Sequence, residues 1–239
     1  MIEFRNVSAG YPGGENILRN ISFSVAAGES TGIVGANGAG KSTLLKTALG
    51  LLNYEGTVLI GGAEVNKKNL PLIRKTAGYL LQDSDNQMFM PTVLDDMVFA
   101  PVNYGKSRAE AEKAAKETLE SLGAGYLIDK YNHKLSGGEK KLAAVATVMT
   151  AEPEILLLDE PSASLDPKNR RKIINILNSI NKTKLIASHD LDFILDTCEK
   201  VMILNNGELV CQGSAGEILQ DAELLDRNGL ELPLRYYGR

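Results

Sequence analysis

The segment Gly35-Ala36-Asn37-Gly38-Ala39-Gly40-Lys41-Ser42 constrains this chain more than any other. Gly35 and Gly40 stand five residues apart and Lys41-Ser42 follows, which is the spacing of a phosphate-binding loop. Ahead of it, Thr31 to Val34 is short, apolar and β-branched, and predicts a buried strand. Behind it, Ser42 to Leu49 carries apolar residues at helical spacing. Strand, glycine loop, helix is the context this chemistry requires. The glycines let the backbone turn with its N–H groups facing a polyphosphate, and the positive end of the helix adds to the anion site. Lys41 is placed to reach the outer phosphates and the Ser42 hydroxyl to ligand Mg²⁺. A plain glycine-rich turn needs neither flanking element. The loop alone does not say which nucleotide-using machine carries it.

With 239 residues the chain is long enough for one large domain, or a core with a subdomain. Hydrophobic residues are 44% and charged residues 23%, an ordinary globular composition. Net charge is −4 and Lys and Arg form no long run, so no nucleic-acid partner is expected. Cys198 and Cys211 show no metal or redox spacing and read as free thiols in a reducing compartment. No signal-peptide pattern opens the sequence. No apolar run nears the roughly 20 residues that span a bilayer. Any membrane role must then come through a partner.

Residues 1–30 read as β-rich. In Ile21-Ser22-Phe23-Ser24-Val25 the apolar residues alternate strictly, and Pro12-Gly13-Gly14 marks a turn before it. Tyr11 at that turn reads as a half-buried strand tyrosine or as a ring exposed for base stacking. Gly50 stops the helix after the glycine loop, and Gly56 to Gly62 is a strand ending in a turn. These pieces predict a small antiparallel β region beside the nucleotide. Gly78 to Gln82 is another short apolar run with a polar end. Met88-Phe89-Met90 is either an adaptable contact surface or local core. Residues 100–150 read as a helical insertion. Ser107 is its N-cap, Gly123 a stop and Glu112–Lys116 a favourable i,i+4 pair. Ser136-Gly137-Gly138 precedes a helix and reads first as a capping turn, second as an anion site. Ile155 to Leu158 is wholly apolar, as in a central parallel strand, and ends at the paired carboxylates Asp159-Glu160. Pro167 opens an amphipathic helix to about residue 180. Lys184 to Ser188 is one more strand, ending at His189, and residues 201–210 read as a hairpin turning at Asn206-Gly207.

Four apolar strands thus end at Gly35, Gln82, Asp159-Glu160 and His189. In an open parallel sheet, ligands bind beyond the carboxyl ends of the strands, so one nucleotide meets all four. Asp159 suits Mg²⁺, Glu160 suits a base acting on an attacking water, and Gln82 reaches metal and water. His189 suits a donor to the γ-phosphate as charge develops.

Taken together these residues resemble the ATP-binding-cassette (ABC) ATPases. Residues 35–42 match the family's Walker A, Gln82 its Q-loop, residues 135–139 its signature and 155–160 its Walker B with catalytic glutamate. Residues 162–166 match its D-loop and His189 its switch histidine. The resemblance implies an α/β fold: a P-loop NTPase core with a mixed, mainly parallel sheet, an N-terminal antiparallel β region and an α-helical subdomain. It implies one ABC ATPase domain over 1–239, with a core of about 1–99 and 151–213, a helical signature subdomain of about 100–150, and a tail of about 214–239.

The same resemblance implies ATP and Mg²⁺ as ligands. It places ATP on Tyr11, on Gly35, Ala36, Asn37, Gly38, Ala39, Gly40, Lys41, Ser42 and Thr43, and on Ser136, Gly138 and Asp166. Metal contacts fall to Ser42, Gln82 and Asp159, and catalysis to Glu160, His189 and Gln82. It further implies a second ABC ATPase subunit, identical or similar, closing head to tail, and a transmembrane scaffold at the cytoplasmic face of a prokaryotic cell membrane. Residues 82–89 and 91–105 are similar to ATPases of energy-coupling-factor and cobalt/nickel-type importers. Two departures stand out. Leu142 follows Lys141 where the family often has arginine. Ser164 stands where glycine is common, with a small effect expected.

Overall fold

The computed structural model describes residues 1–237. The chain opens with β1 (Ile2–Gly10), β2 (Asn16–Val25) and β3 (Ser30–Val34) and enters α1 (Lys41–Ala48). It continues through β4 (Asn53–Ile60), β5 (Ala63–Glu64), α2 (Leu70–Thr76) and β6 (Ala77–Leu80). Three helices follow: α3 (Val93–Asn103), α4 (Arg108–Ser121) and α5 (Gly137–Thr150). Then β7 (Ile155–Asp159), α6 (Pro167–Ser179), β8 (Thr183–Ala187) and α7 (Leu191–Thr197) alternate. The chain closes with β9 (Lys200–Asn205), β10 (Glu208–Ser214), α8 (Ala215–Ile218) and α9 (Ala222–Arg227). The tail expected over 214–239 is thus two short helices and an irregular end. Its last two residues lie outside the described ones.

Among the described residues the strands form two sheets. One, ordered β2-β1-β4-β5, is antiparallel. The other is ordered β10-β9-β3-β8-β7-β6 and is parallel except for β10. Alternation explains how the second sheet is covered on both faces. On β7, Leu156 and Leu158 pack under α3 to α7, while Ile155 and Leu157 face the antiparallel sheet and α1. On β9, Val201 and Ile203 take the first side and Met202 and Leu204 the second. Each such side chain taken out of water stabilises the fold by about 1.5–3 kcal/mol. In the antiparallel sheet Ile21, Phe23 and Val25 are all buried, as their alternation predicts, and Phe23 stacks on Phe4 with ring centroids 4.7 Å apart.

The hairpin turns at Asn206 (φ +47°) and Gly207 (φ +79°), both left-handed. Gly207 N–H donates to the Ala39 carbonyl, and its own carbonyl accepts from Arg19 N–H. A side chain there would meet the Ile17 carbonyl oxygen at 1.7 Å. The glycine loop is thus held by the far end of the chain.

The helical region differs from expectation in two places. It begins at Val93 rather than near 100, because Thr92 caps α3 by accepting from Asp95 N–H, while Val93, Met97 and Val98 are buried. Glu112 pairs backward with Arg108 at 2.8 Å rather than forward with Lys116, since the guanidinium sits one turn before it. Ser107 does cap α4, through a reciprocal capping box with Glu110.

Candidate active site

In the larger sheet β3, β8, β7 and β6 lie side by side and parallel. Their carboxyl ends share one edge, and the groups expected to converge there do so. One cavity is lined by Gly35, Ala36, Asn37, Gln82, Glu160 and His189. A second shares Asn37, Gln82 and Glu160 and is walled by Gly38, Gly40, Lys41, Ser42 and Thr43. Ala39 turns inward and is buried.

The glycine loop is shaped for an anion. Gly40 caps α1 at φ +107° and brings no side-chain hydrogen bond, so the first-turn N–H groups face the cavity without a capping oxygen. Space above Gly38 is open, whereas a side chain on Gly35 would meet the Leu204 carbonyl oxygen at 2.2 Å. Lys41 is buried, and its Nζ donates to the carbonyls of Gly35 at 2.7 Å and Ala36 at 3.2 Å. Burial holds its ammonium below the ordinary lysine range, against the opposing pull of Glu160 and Asp159.

Ser42 Oγ donates to Asp159 Oδ1 at 3.0 Å, and Tyr79 Oη donates to Asp159 Oδ2 at 3.3 Å. Burial pushes the Asp159 carboxyl above its usual range, although both hydroxyls pull it down. A hydroxyl against a buried carboxylate fits a Mg²⁺ whose remaining ligands are waters and substrate phosphates. That arrangement needs no dedicated cage. Among the described residues no group of three His, Cys, Asp or Glu could hold a metal ion.

Glu160 sits at φ +47°, a left-handed backbone uncommon outside glycine and costly by about 1–3 kcal/mol. Its N–H donates to the Ala187 carbonyl at 2.9 Å. Its carboxylate accepts from His189 N–H at 3.0 Å and from Ser188 Oγ at 3.2 Å, and lies 2.9 Å from His189 Nδ1. The His189 ring is otherwise open to solvent. Behind it, Asp190 caps α7 and takes a two-pronged contact from Arg170 at 2.8 and 3.1 Å. Burial raises the Asp190 carboxyl, but Arg170 and the Phe193 N–H outweigh it and hold it below the usual range.

Tyr11, Ser136, Gly138 and Asp166 do not line these two cavities. Tyr11 is 42% exposed and its Oη accepts from Lys46 Nζ at 3.1 Å. Ser136 caps α5 in a reciprocal box with Glu139, as its local chemistry predicts, and faces solvent. Asp166 caps α6 and holds the Asn169 side chain at 2.7 Å. A side chain on Gly138 would meet that Asn169 Nδ2 at 2.3 Å.

Several neighbours escape a linear reading. Tyr79, Ser188 and Lys141 reach the site only through tertiary folding. So do residues 229–234, which wall the first cavity and are tied to α7 by Leu234 N–H and Arg235 on Asp192. Tyr79 is half-buried on β6 beside the equally half-buried Gly78, so no alternation in the strand marks it.

The comparisons with known proteins agree with this geometry. The ABC transporter family model matches residues 18–163. The chain belongs to the ABC transporter family. This cassette is 44% identical to a putative ABC transporter ATP-binding protein of Geobacter sulfurreducens, over all of this chain and 96% of that protein. It is 42% identical to the energy-coupling factor transporter ATP-binding protein EcfA of Methanothermobacter thermautotrophicus, over 98% of this chain and 77% of that one. Among solved structures it superposes on cbiO1 from Clostridium perfringens, part of the ABC transporter complex cbiONQ. The TM-score there is 0.82 at 32% identity, over 95% of this chain and 93% of that one. The cassette is an ATP-binding, ATP-hydrolysing subunit of a transporter. No helix among the described residues is long and apolar enough to cross a membrane.

Proposed function

We propose that this ABC ATPase energises a membrane importer of the energy-coupling-factor type, for a metal ion or vitamin, through ATP-driven head-to-tail closure of two cassettes. The observation that carries the catalytic part is the meeting of Lys41, Ser42, Gln82, Glu160 and His189 around two joined cavities at one sheet edge.

The residues divide the work as follows. The loop from Gly35 to Thr43 cradles the phosphates with main-chain N–H groups, Lys41 neutralises the outer ones, and Tyr11 stacks on the base. Ser42, Asp159 and Gln82 would hold Mg²⁺, which would offset charge on the phosphate oxygens. Glu160 is the base that orients and deprotonates the attacking water, and Gln82 helps place that water. His189 donates toward the γ-phosphate as negative charge grows. Ser136 and Gly138 of one subunit face the γ-phosphate held by the other, and Asp166 lies at the joint. The solvent exposure of Ser136 and Asp166 supports this, since both are free to meet a second cassette.

The importer reading rests on the EcfA and cbiO1 likenesses and on a groove lined by Tyr79 and Gln87, on either side of Gln82 in the chain. Phe89 is 63% exposed and meets Phe99 edge to face at 5.2 Å, with Leu51 and Tyr104 on the same wall. Met88 is buried beneath, so the run once open to two readings divides between core and surface. Asp96 Oδ1 accepts from the Phe89 and Met90 N–H groups at 3.2 Å each, which fixes that surface. A transmembrane scaffold docked there places the cassette at the cytoplasmic face of a prokaryotic membrane. A tagged pull-down from detergent-solubilised membranes tests this. Recovery of a multi-span scaffold with a small substrate-binding membrane protein supports the importer. Fused spans point to another transporter type, and ribosomal or DNA-associated partners to a soluble ABC ATPase.

A further inference from the structure

Lys141 is a buried cation that the residue roles above leave unused. It lies on α5, one turn beyond Ser136 and Gly138, and is 4% exposed. Its Nζ donates to the Gln82 carbonyl at 2.7 Å and to the Glu160 carbonyl at 3.3 Å. These two carbonyls belong to separate loops, one after β6 and one after β7. Each loop carries a side chain of the proposed catalytic set. An ammonium has three donors and no acceptor, so one side chain can pin several carbonyls at once. Burying it is expensive beside an apolar residue of similar volume, such as the neighbouring Leu142. The Glu160 carbonyl follows a left-handed φ, and a charged donor on it helps hold that unusual backbone.

We propose that Lys141 is a positioning residue, which ties the signature helix α5 to the main chain of Gln82 and Glu160 so that signature and catalytic edge keep one register. Any rotation of α5 against the sheet must break these two bonds or carry both loops with it. Lys141 is thereby the buried cation of this helix, one residue before Leu142, which stands where the family often has arginine. The inference rests on the roles proposed for Gln82 and Glu160.

The test compares Lys141→Met, Lys141→Arg and Glu160→Gln in the purified chain. It reads ADP affinity, thermal midpoint, and kcat and KM for ATP. Phosphate binding sits on the glycine loop, so Lys141→Met keeps ADP affinity within about threefold while kcat falls by about tenfold or more. Lys141→Arg recovers most of that loss, because a guanidinium can reach both carbonyls. Unchanged kcat in Lys141→Met, beside lost turnover in Glu160→Gln, overturns the Lys141 role alone. Equal losses in Lys141→Met and Lys141→Arg, with ADP affinity falling in step, reduce Lys141 to packing and overturn it too. If Lys141→Met does not fold, Lys141→Gln takes its place under the same criteria.

Discussion

Burial raises the Asp159 carboxyl, so the fold pays for a charge that a bound metal cation would use. A raised native pKa means the native state binds the proton more tightly than the unfolded one. The cost is therefore absent below the unfolded value near 3.8 and fully present above the native value. Asp159→Asn is expected to raise the thermal midpoint at pH 7 by a few degrees, with the gain shrinking as pH falls toward 4. The same variant loses ATP turnover. Scanning calorimetry across pH, beside an ATPase assay, checks both. Ser164 departs from what its sequence suggests. Serine tolerates most backbone angles, but here φ is +62°, in the left-handed region where glycine is favoured. Ser164→Gly is expected to stabilise by roughly 0.5–1 kcal/mol in urea unfolding, because the strain relieved exceeds the added chain entropy. Phosphate loop, paired carboxylates and His189 were legible because each is local chemistry at a strand end. The Ser164 strain was not, because φ belongs to the folded loop rather than to the residue type.

At the scale of elements, Arg170 fastens α6 to α7. It grips Asp190, the cap of α7 and the residue after His189, and lies 3.7 Å from Asp196. Arg170→Ala is expected to cost about 1–3 kcal/mol, since it leaves a half-buried carboxylate without its charged partner. Asp190 has a depressed native pKa, so its contribution is present above the unfolded value near 3.8 and lost as pH falls through the native one. The gap between wild type and Arg170→Ala should then narrow only below the unfolded value, which denaturant melts at pH 7 and about pH 3 resolve. The strands around the site were legible for a simple reason. Ile155 to Leu158 and Lys184 to Ala187 are buried on both faces and read as short runs without helical period. The start of α3 was placed too late, although Thr92 with Asp95 three residues on carries a capping pattern, because the polar loop and Pro91 before it and Pro101 within it interrupt the helical run. The Glu112 pairing was equally hidden, since Arg108 and Lys116 both stand four residues away.

At the scale of the whole molecule the proposal assigns partners to two exposed surfaces, the Phe89–Phe99 groove and the face bearing Ser136 and Asp166. Phe89→Asp is expected to leave the ATPase rate and thermal midpoint of the purified chain within about twofold and about two degrees, since the ring is on the surface. It should abolish recovery of the membrane scaffold in the pull-down. Cys198 is not expected to interfere, for burial pushes its thiol up to about 12 and leaves it inert. A single chain carries only its own half of any shared site, so the proposed pairing of two cassettes was legible in neither linear pattern nor single-chain geometry. The most direct measurement is analytical ultracentrifugation of Glu160→Gln with ATP and Mg²⁺, with bound nucleotide counted. Glu160 as base and closure by shared sites predict a stable dimer holding two intact ATP molecules, and a monomer with ADP. A Glu160→Gln chain that hydrolyses its bound ATP or turns ATP over at the wild-type rate would contradict the account, while one that holds intact ATP as a monomer would point to a similar rather than identical partner subunit.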